Sequence, residues 1–325
     1  MFRSINKGIG DNVARHLRLL PTLTVLLLHA CAAGTYAGGP LSSADIEVVL
    51  GPAQTIGGGT PGFLTLGGQP HALGFVSAVA ASGGYVFVVD STLPGLLRVD
   101  FMSGEMQMLR RLRDATTHGL YVRQDLVVYV VDRQNRAVIE LDESGHERHV
   151  IYEPELVAMP VDVALTDWGS SVVVADELTQ RLVLFESFST LMGILPNALT
   201  PVSVAASISA ISGKDQYVFV LDAASREVVQ LDLNGRLVAT YGEDALFTPV
   251  AMAVDECRRI FVADGHPDGL FVTSPDFYGT GARATLPSEI VSTVTDLWID
   301  GNELYVAAGV SGVWVMPIEP GCFPQ

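Results

Sequence analysis

YVFVVD (85–90) recurs along the chain with small changes, as VVYVVD (127–132), SVVVAD (171–176), YVFVLD (217–222) and RIFVAD (259–264). A sixth copy, ELYVAA (303–308), has lost its acid at Ala308. Successive copies end 42, 44, 46, 42 and 44 residues apart. That period suits a four-stranded propeller blade and is too long for leucine-rich or ankyrin repeats.

The unit extends on both sides of this run. Upstream, a second apolar segment begins at Phe75, Thr117, Pro160, Pro201, Pro249 and Thr293. Downstream come a polar turn and a third segment: LLRVDF, AVIELD, RLVLFE, EVVQLD, GLFVTS and GVWVMP. A weaker fourth closes the unit, as in EMQMLRR, ERHVIYE and RLVATYG. Runs this short, rich in β-branched and aromatic residues and bounded by Gly, Asp, Asn and Ser, read as strands. The expected fold is all-β, a six-bladed β-propeller of four-stranded antiparallel blades.

The sixth unit runs out of chain after MPIEPG (316–321), whereas IEVVLG (46–51) stands alone ahead of the first. Residues 45–51 are therefore expected to supply the outer strand of the last blade. The expected organisation is a signal segment over 1–30, a tether of small and polar residues over 31–44, and the propeller over 45–325.

These motifs resemble the NHL repeat: Pro, a small residue, an aliphatic strand, aromatic-Val-Ala-Asp, a polar turn, Arg and a further strand. PVAMAVDECRRIFVAD (249–264) and YVVDRQNRAVIELDESG (129–145) carry the likeness most fully, and it covers 75–318. The resemblance implies a scaffold shared by enzymes, adaptors and binding modules, and no particular activity.

At the other end, Arg3, Lys7, Arg15 and Arg18 precede an apolar run from Leu19 to Ala30, then Cys31 among small residues. That is the layout of a secretory signal, and the run is shorter than the roughly 20 residues of a membrane-spanning helix. Leu28-His29-Ala30-Cys31 resembles a bacterial lipoprotein box, with His29 a poor fit. It implies acylation of Cys31 and a lipid-anchored place in the cell envelope, at the outer membrane or in the periplasm. Cleavage after Ala32, giving a soluble periplasmic or secreted protein, is the rival.

Four of the 19 basic residues and one of the 36 acidic ones precede Cys31, which leaves 15 against 35 and a net charge of −20. Such a balance disfavours nucleic acid, whose binding rests on cations that displace counterions. With Cys31 acylated, Cys257 and Cys322 form an even pair in an oxidising compartment, and a Cys257–Cys322 disulfide is expected.

The search for chemistry yields little. The repeated Asp90, Asp132, Asp176, Asp222 and Asp264 occur once per blade and read as turn punctuation. Arg136, Arg181 and Arg226 read as their structural partners. The first strands converge on the central channel, where lactonase-like and amidating-lyase-like relatives hold calcium or zinc. Two positions into each stand Ser77, Gly119, Asp162, Ser203, Ala251 and Thr295, a ring with one carboxylate.

His118 and Asp296 lie beside that ring, and with Asp162 they form a weak candidate ligand site at the channel mouth. His266 and Asp268 add a second polar turn. GGGTPG (57–62) lacks the following Lys-Ser/Thr of a phosphate loop. Trp298 and Trp314 read as core. The expectation is a non-catalytic cell-envelope module without a cofactor, which binds a protein or small ligand. The alternative is a metal-dependent hydrolase or lyase that uses Ca or Zn at the channel mouth.

Overall fold

The structure, a computed structural model, describes residues 48–56, 64–113, 119–166, 171–186, 190–195, 199–208, 216–275 and 281–321. Cys31, His118, Cys322 and residues 45–47 lie outside these. Each predicted unit forms one sheet. Blade one comprises β5 (Val76–Ser82), β6 (Tyr85–Asp90), β7 (Gly95–Asp100) and β8 (Glu105–Arg111). Blade two comprises β9 (Leu120–Val122), β10 (Val128–Asp132), β11 (Ala137–Leu141) and β12 (Glu147–Ile151).

Blade three follows with β13 (Pro160–Thr166), β14 (Ser171–Asp176), β15 (Arg181–Glu186) and β16 (Thr190–Leu195). Blade four has β17 (Pro201–Ile208), β18 (Gln216–Asp222), β19 (Glu227–Asp232) and β20 (Leu237–Tyr241). In blade five these are β21 (Pro249–Val254), β22 (Ile260–Asp264), β23 (Gly269–Thr273) and β24 (Ala282–Thr285). Blade six has β25 (Asp296–Asp300), β26 (Glu303–Ala307) and β27 (Val313–Glu319), completed by residues from the start of the chain.

The completing strand is broken in two around Gly51-Pro52. β1 (Val49–Leu50) pairs Val49 with Glu319 and Leu50 with Ile318, and β2 (Gln54–Ile56) pairs Ile56 with Val313. Both are antiparallel to β27, so the borrowed outer strand holds and extends five residues beyond its expected end at 51. A further hairpin, β3 (Leu64–Leu66) and β4 (Gln69–His71), lies parallel to β8 on the rim of blade one. Its turn uses Gly67 and Gly68 at φ 59° and 76°, the left-handed pair that a two-residue hairpin requires.

The second strands explain why their sequences are apolar throughout rather than alternating. Each is covered by a neighbouring blade on both faces, and every residue of β10, β14 and β22 is buried. The outer strands are less covered, most plainly β12, where four of five residues are exposed. Six apolar clusters fill the spaces between successive blades. Ala78, Phe87 and Leu96 of blade one pack with Leu120, Val130 and Ile139 of blade two, while Tyr305 and Val313 of blade six pack with Val79 and Val88 of blade one. The core is thus a closed ring.

The repeated Asp ties two connections of its own blade together. Asp90 accepts from Thr92 N (2.7 Å) and Leu93 N (2.8 Å) in the turn ahead, and from Gly74 N (2.6 Å) just before the first strand. Asp176 binds Thr179 N and Met159 N, and Asp222 binds Ser225 N and Thr200 N, in the same way. Where the arginines that follow meet these acids they do so through the backbone, Arg226 N donating to Asp222 O (2.9 Å) and Arg181 lying opposite Asp176 in the ladder, and none forms an ion pair with them among the described residues. Arg136 and Arg226 supply a left-handed backbone at φ 54° and 59°, a position Gln180 fills in blade three. Among the described residues, only Arg283 pairs with a repeated Asp, reaching Asp264 at 3.0 Å from the outer strand.

Candidate functional site

Strand register, rather than spacing, sets the ring around the channel. In blade three Pro160 faces Asp176 and Asp162 faces Ala175, with a bulge at the residue between. Blade one repeats this with Val76 opposite Asp90 and Ala78 opposite Val89, and blade six has Asp296 opposite Ala307. The equivalent residues are therefore Ala78, Gly119, Asp162, Ser203, Ala251 and Asp296. Ser77 and Thr295 each sit one position early. Ser77 is buried in the bulge with its hydroxyl toward Val89 O (3.4 Å), and Thr295 donates its hydroxyl to Val76 O (2.9 Å).

The corrected ring holds two carboxyls, on blades three and six, which stand opposite each other in a ring of six. Their local geometry is the same. Asp162 Oδ1 accepts from Val163 N (2.8 Å), while Oδ2 accepts from Val204 N (2.7 Å) and Ser203 Oγ (3.0 Å) on blade four. Asp296 Oδ1 accepts from Leu297 N (2.8 Å) and Oδ2 from Val79 N (2.9 Å) on blade one. Each acid bridges its own strand to the next blade, and the second bridge spans the seam where the two ends of the repeat array meet.

Gly119 shows why the neighbouring position carries no side chain. A Cβ there would stand 2.1 Å from Val131 Cγ2 and 3.0 Å from Asp162 Cα. Blades two and three approach too closely for anything larger.

Between the acids lies a cavity of about 160 Å³, lined by Asp162, Ser203, Met252, Asp296, Tyr121 and Trp298 among others. Trp298 was expected in the core; it is half-buried, donates Nε1–H to Ala81 O (2.9 Å) and meets Tyr121 edge-on at 5.2 Å between ring centroids. Both carboxyls are buried, 6 % exposed. Burial pushes Asp162 up to about 7 against the pull of its three hydrogen bonds. It raises Asp296 well above the usual carboxylate range, and the charge of Asp162 raises it further. At neutral pH the pair therefore carries fewer than two negative charges. A carboxyl with about four acceptor sites has some left after these bonds, so the pair is equipped to receive N–H donors or a cation.

Of the other candidates, His266 and Asp268 pair with each other (Nδ1 to Oδ2, 3.1 Å) against Phe247, away from this cavity. His118, one residue before Gly119, lies outside the described residues. Among those described, no three His, Cys, Asp or Glu side chains gather as metal ligands. No helix among them is long and apolar enough to cross a membrane.

No family model matches the chain, and no characterised protein matches it in sequence. Several solved structures share its architecture. A Bacteroides thetaiotaomicron protein of unknown function is 16% identical, with a TM-score of 0.59 over 84% of this chain and 77% of that one. A streptogramin B lyase is 10% identical, with a TM-score of 0.61 over 83% of this chain and 98% of its own. Virginiamycin B lyase from Staphylococcus aureus is 10% identical, with a TM-score of 0.57 over 77% of this chain and 84% of its own. At these identities the likeness is one of fold, and it agrees with the repeat register: this chain is a six-bladed β-propeller.

Proposed function

We propose that the chain is an exported, lipid-anchored, non-catalytic propeller that binds a small ligand bearing N–H donors or positive charge at the mouth of its channel. The observation that carries this reading is the opposed pair Asp162 and Asp296 over a cavity walled by Trp298 and Tyr121. Buried carboxyls gain from a cation or donor that offsets their desolvation, and aromatic faces favour ammonium groups. Both acids also hold blades together, which favours a fixed binding geometry over a group that must move protons in turnover.

Thermal-shift titration with a panel of amines, and with calcium, magnesium and zinc salts, tests the reading. Stabilisation by an amine that is lost in Asp296→Asn supports it, and a panel without effect on the native chain overturns it. The alternative is a metal-dependent hydrolase or lyase using His118, Asp162 and Asp296. It would declare itself as stoichiometric calcium or zinc in elemental analysis that disappears in Asp162→Ala.

Export brings two covalent proposals. Acylation at Cys31 is tested by labelled fatty acid, which Cys31→Ala should fail to incorporate. A Cys257–Cys322 disulfide would staple the chain end to blade five. In its favour, Arg259 Nη1, two residues from Cys257, donates to Pro320 O (2.8 Å), two residues from Cys322. Mass spectrometry of the non-reduced mature chain would exclude it by finding two alkylatable thiols.

A further inference from the structure

Six of the 15 cationic residues that follow Cys31 fall within the 27 residues 110–136; Arg123, just after β9, pairs with Asp125, and the other five are Arg110, Arg111, Arg113, Arg133 and Arg136. They occupy the end of β8, the connection after it and the β10–β11 turn. In an antiparallel meander these segments share the face on which the first strands begin, so the arginines lie on the channel-mouth side of blades one and two. The β10–β11 turn stands between two hollows of about 510 and 590 Å³, both lined by Gln134 and Arg136. The larger is walled by Arg113, Arg133 and Arg136, with Met159 and the 65 % exposed Leu178 beside them.

Part of this charge is spent internally. Arg110 pairs with Glu147 at 3.0 Å, and Arg133 pairs with Glu177. Arg111, Arg113 and Arg136 are exposed and have no ion-pair partner among the described residues. The turn that carries Arg136 is held, because Asp132 accepts from Asn135 N (3.0 Å) and Asn135 Nδ2 (2.7 Å). Nor is the charge a requirement of the repeat. The positions of Arg133 and Arg136 are Glu177 and Gln180 in blade three, and Ala223 and Arg226 in blade four.

We propose that the groove of Arg113, Arg133 and Arg136 docks a short acidic segment of a protein partner, with carboxylates on the Arg113 and Arg136 guanidiniums and an apolar side chain against Met159 and Leu178. A free inorganic anion would leave most of the hollow and its apolar wall unused. A nucleic acid would extend past the groove onto an acidic surface, where its phosphates are repelled. A short segment escapes that repulsion, since charges beyond about 8 Å are largely screened at physiological salt.

The test is fluorescence anisotropy on the full mature chain with a labelled peptide in which a leucine is flanked by glutamates, and a control with glutamines in their place. The glutamate peptide should bind, with affinity falling as salt rises, and the glutamine peptide should not. Arg113→Ala and Arg136→Ala should each weaken binding by about two- to fivefold, and reversal of both to Glu by at least about tenfold. Neither side chain has an ion-pair partner among the described residues, so the thermal midpoint should stay unchanged. Leu178→Ser should weaken the peptide and leave competing phosphate unaffected. Equal binding of the two peptides, an undiminished affinity in the double reversal, or displacement by inorganic phosphate at the peptide's own concentration would each overturn the proposal.

Discussion

Asp296 and Asp162 show how one residue type serves two purposes at one radius of the ring. Each spends an oxygen on the next blade, so its removal leaves a buried N–H without an acceptor. Asp296→Asn turns an amide N–H₂ toward one of Val79 N and Leu297 N and should cost about 1–3 kcal/mol, read as a lower midpoint in chemical denaturation. The pH dependence has a definite sign. Asp162 titrates at about 7 in the folded chain against about 3.9 when unfolded. The folded state therefore holds the extra proton between those values, and stability falls as pH rises from about 4 to about 7. The thermal midpoint should be higher at pH 5 than at pH 8, and the difference should shrink in Asp162→Asn. An unchanged difference would place the effect on the surface acids instead.

Within the blade, the element that sets geometry is the Asp-capped turn between the second and third strands. Asp176 satisfies Thr179 N, Thr179 Oγ1 and Met159 N together. Asp176→Ala should therefore cost about 1–3 kcal/mol while leaving the far-ultraviolet strand signal intact. Gly119→Ala tests the opposite kind of constraint. Its Cβ would press on Val131 and the backbone of Asp162, and overpacking of this kind costs about 1–3 kcal/mol; an unaltered urea midpoint would mean that the blades can part there. The β3–β4 hairpin has no counterpart in the repeat. Its Gly67-Gly68 turn between LTL and QPH is readable as a hairpin, although each of its strands is only three residues long.

For the whole molecule, stability rests on closure. Ile56, 3 % exposed, packs with Leu64, Val313 and Val315, so the strand from the start of the chain is part of the core between blades six and one. Ile56→Ala should cost about 2–5 kcal/mol. Removing residues 1–56 should open the edge of β27 and give concentration-dependent association in size-exclusion chromatography. Six blades, their period and the borrowed strand were legible in sequence, because second strands covered on both faces must be apolar throughout and turns must be polar. The ring was legible in blades three, four and five, where Pro160, Pro201 and Pro249 mark the strand start, and in blade two, where Gly119 follows Thr117 by two. In blades one and six the equivalent positions are Val76 and Val294, one residue after Phe75 and Thr293, and no proline marks them. A one-residue slip moves a side chain to the other face of a strand. So the sequence by itself determined the number of blades and the way the circle closes, since both follow from repeated patterns of burial. Only the tertiary structure decided that Asp296 faces Asp162 across the channel and that four arginines line two neighbouring hollows, because pairing register and the meeting of blades are set by contacts between residues far apart in the chain.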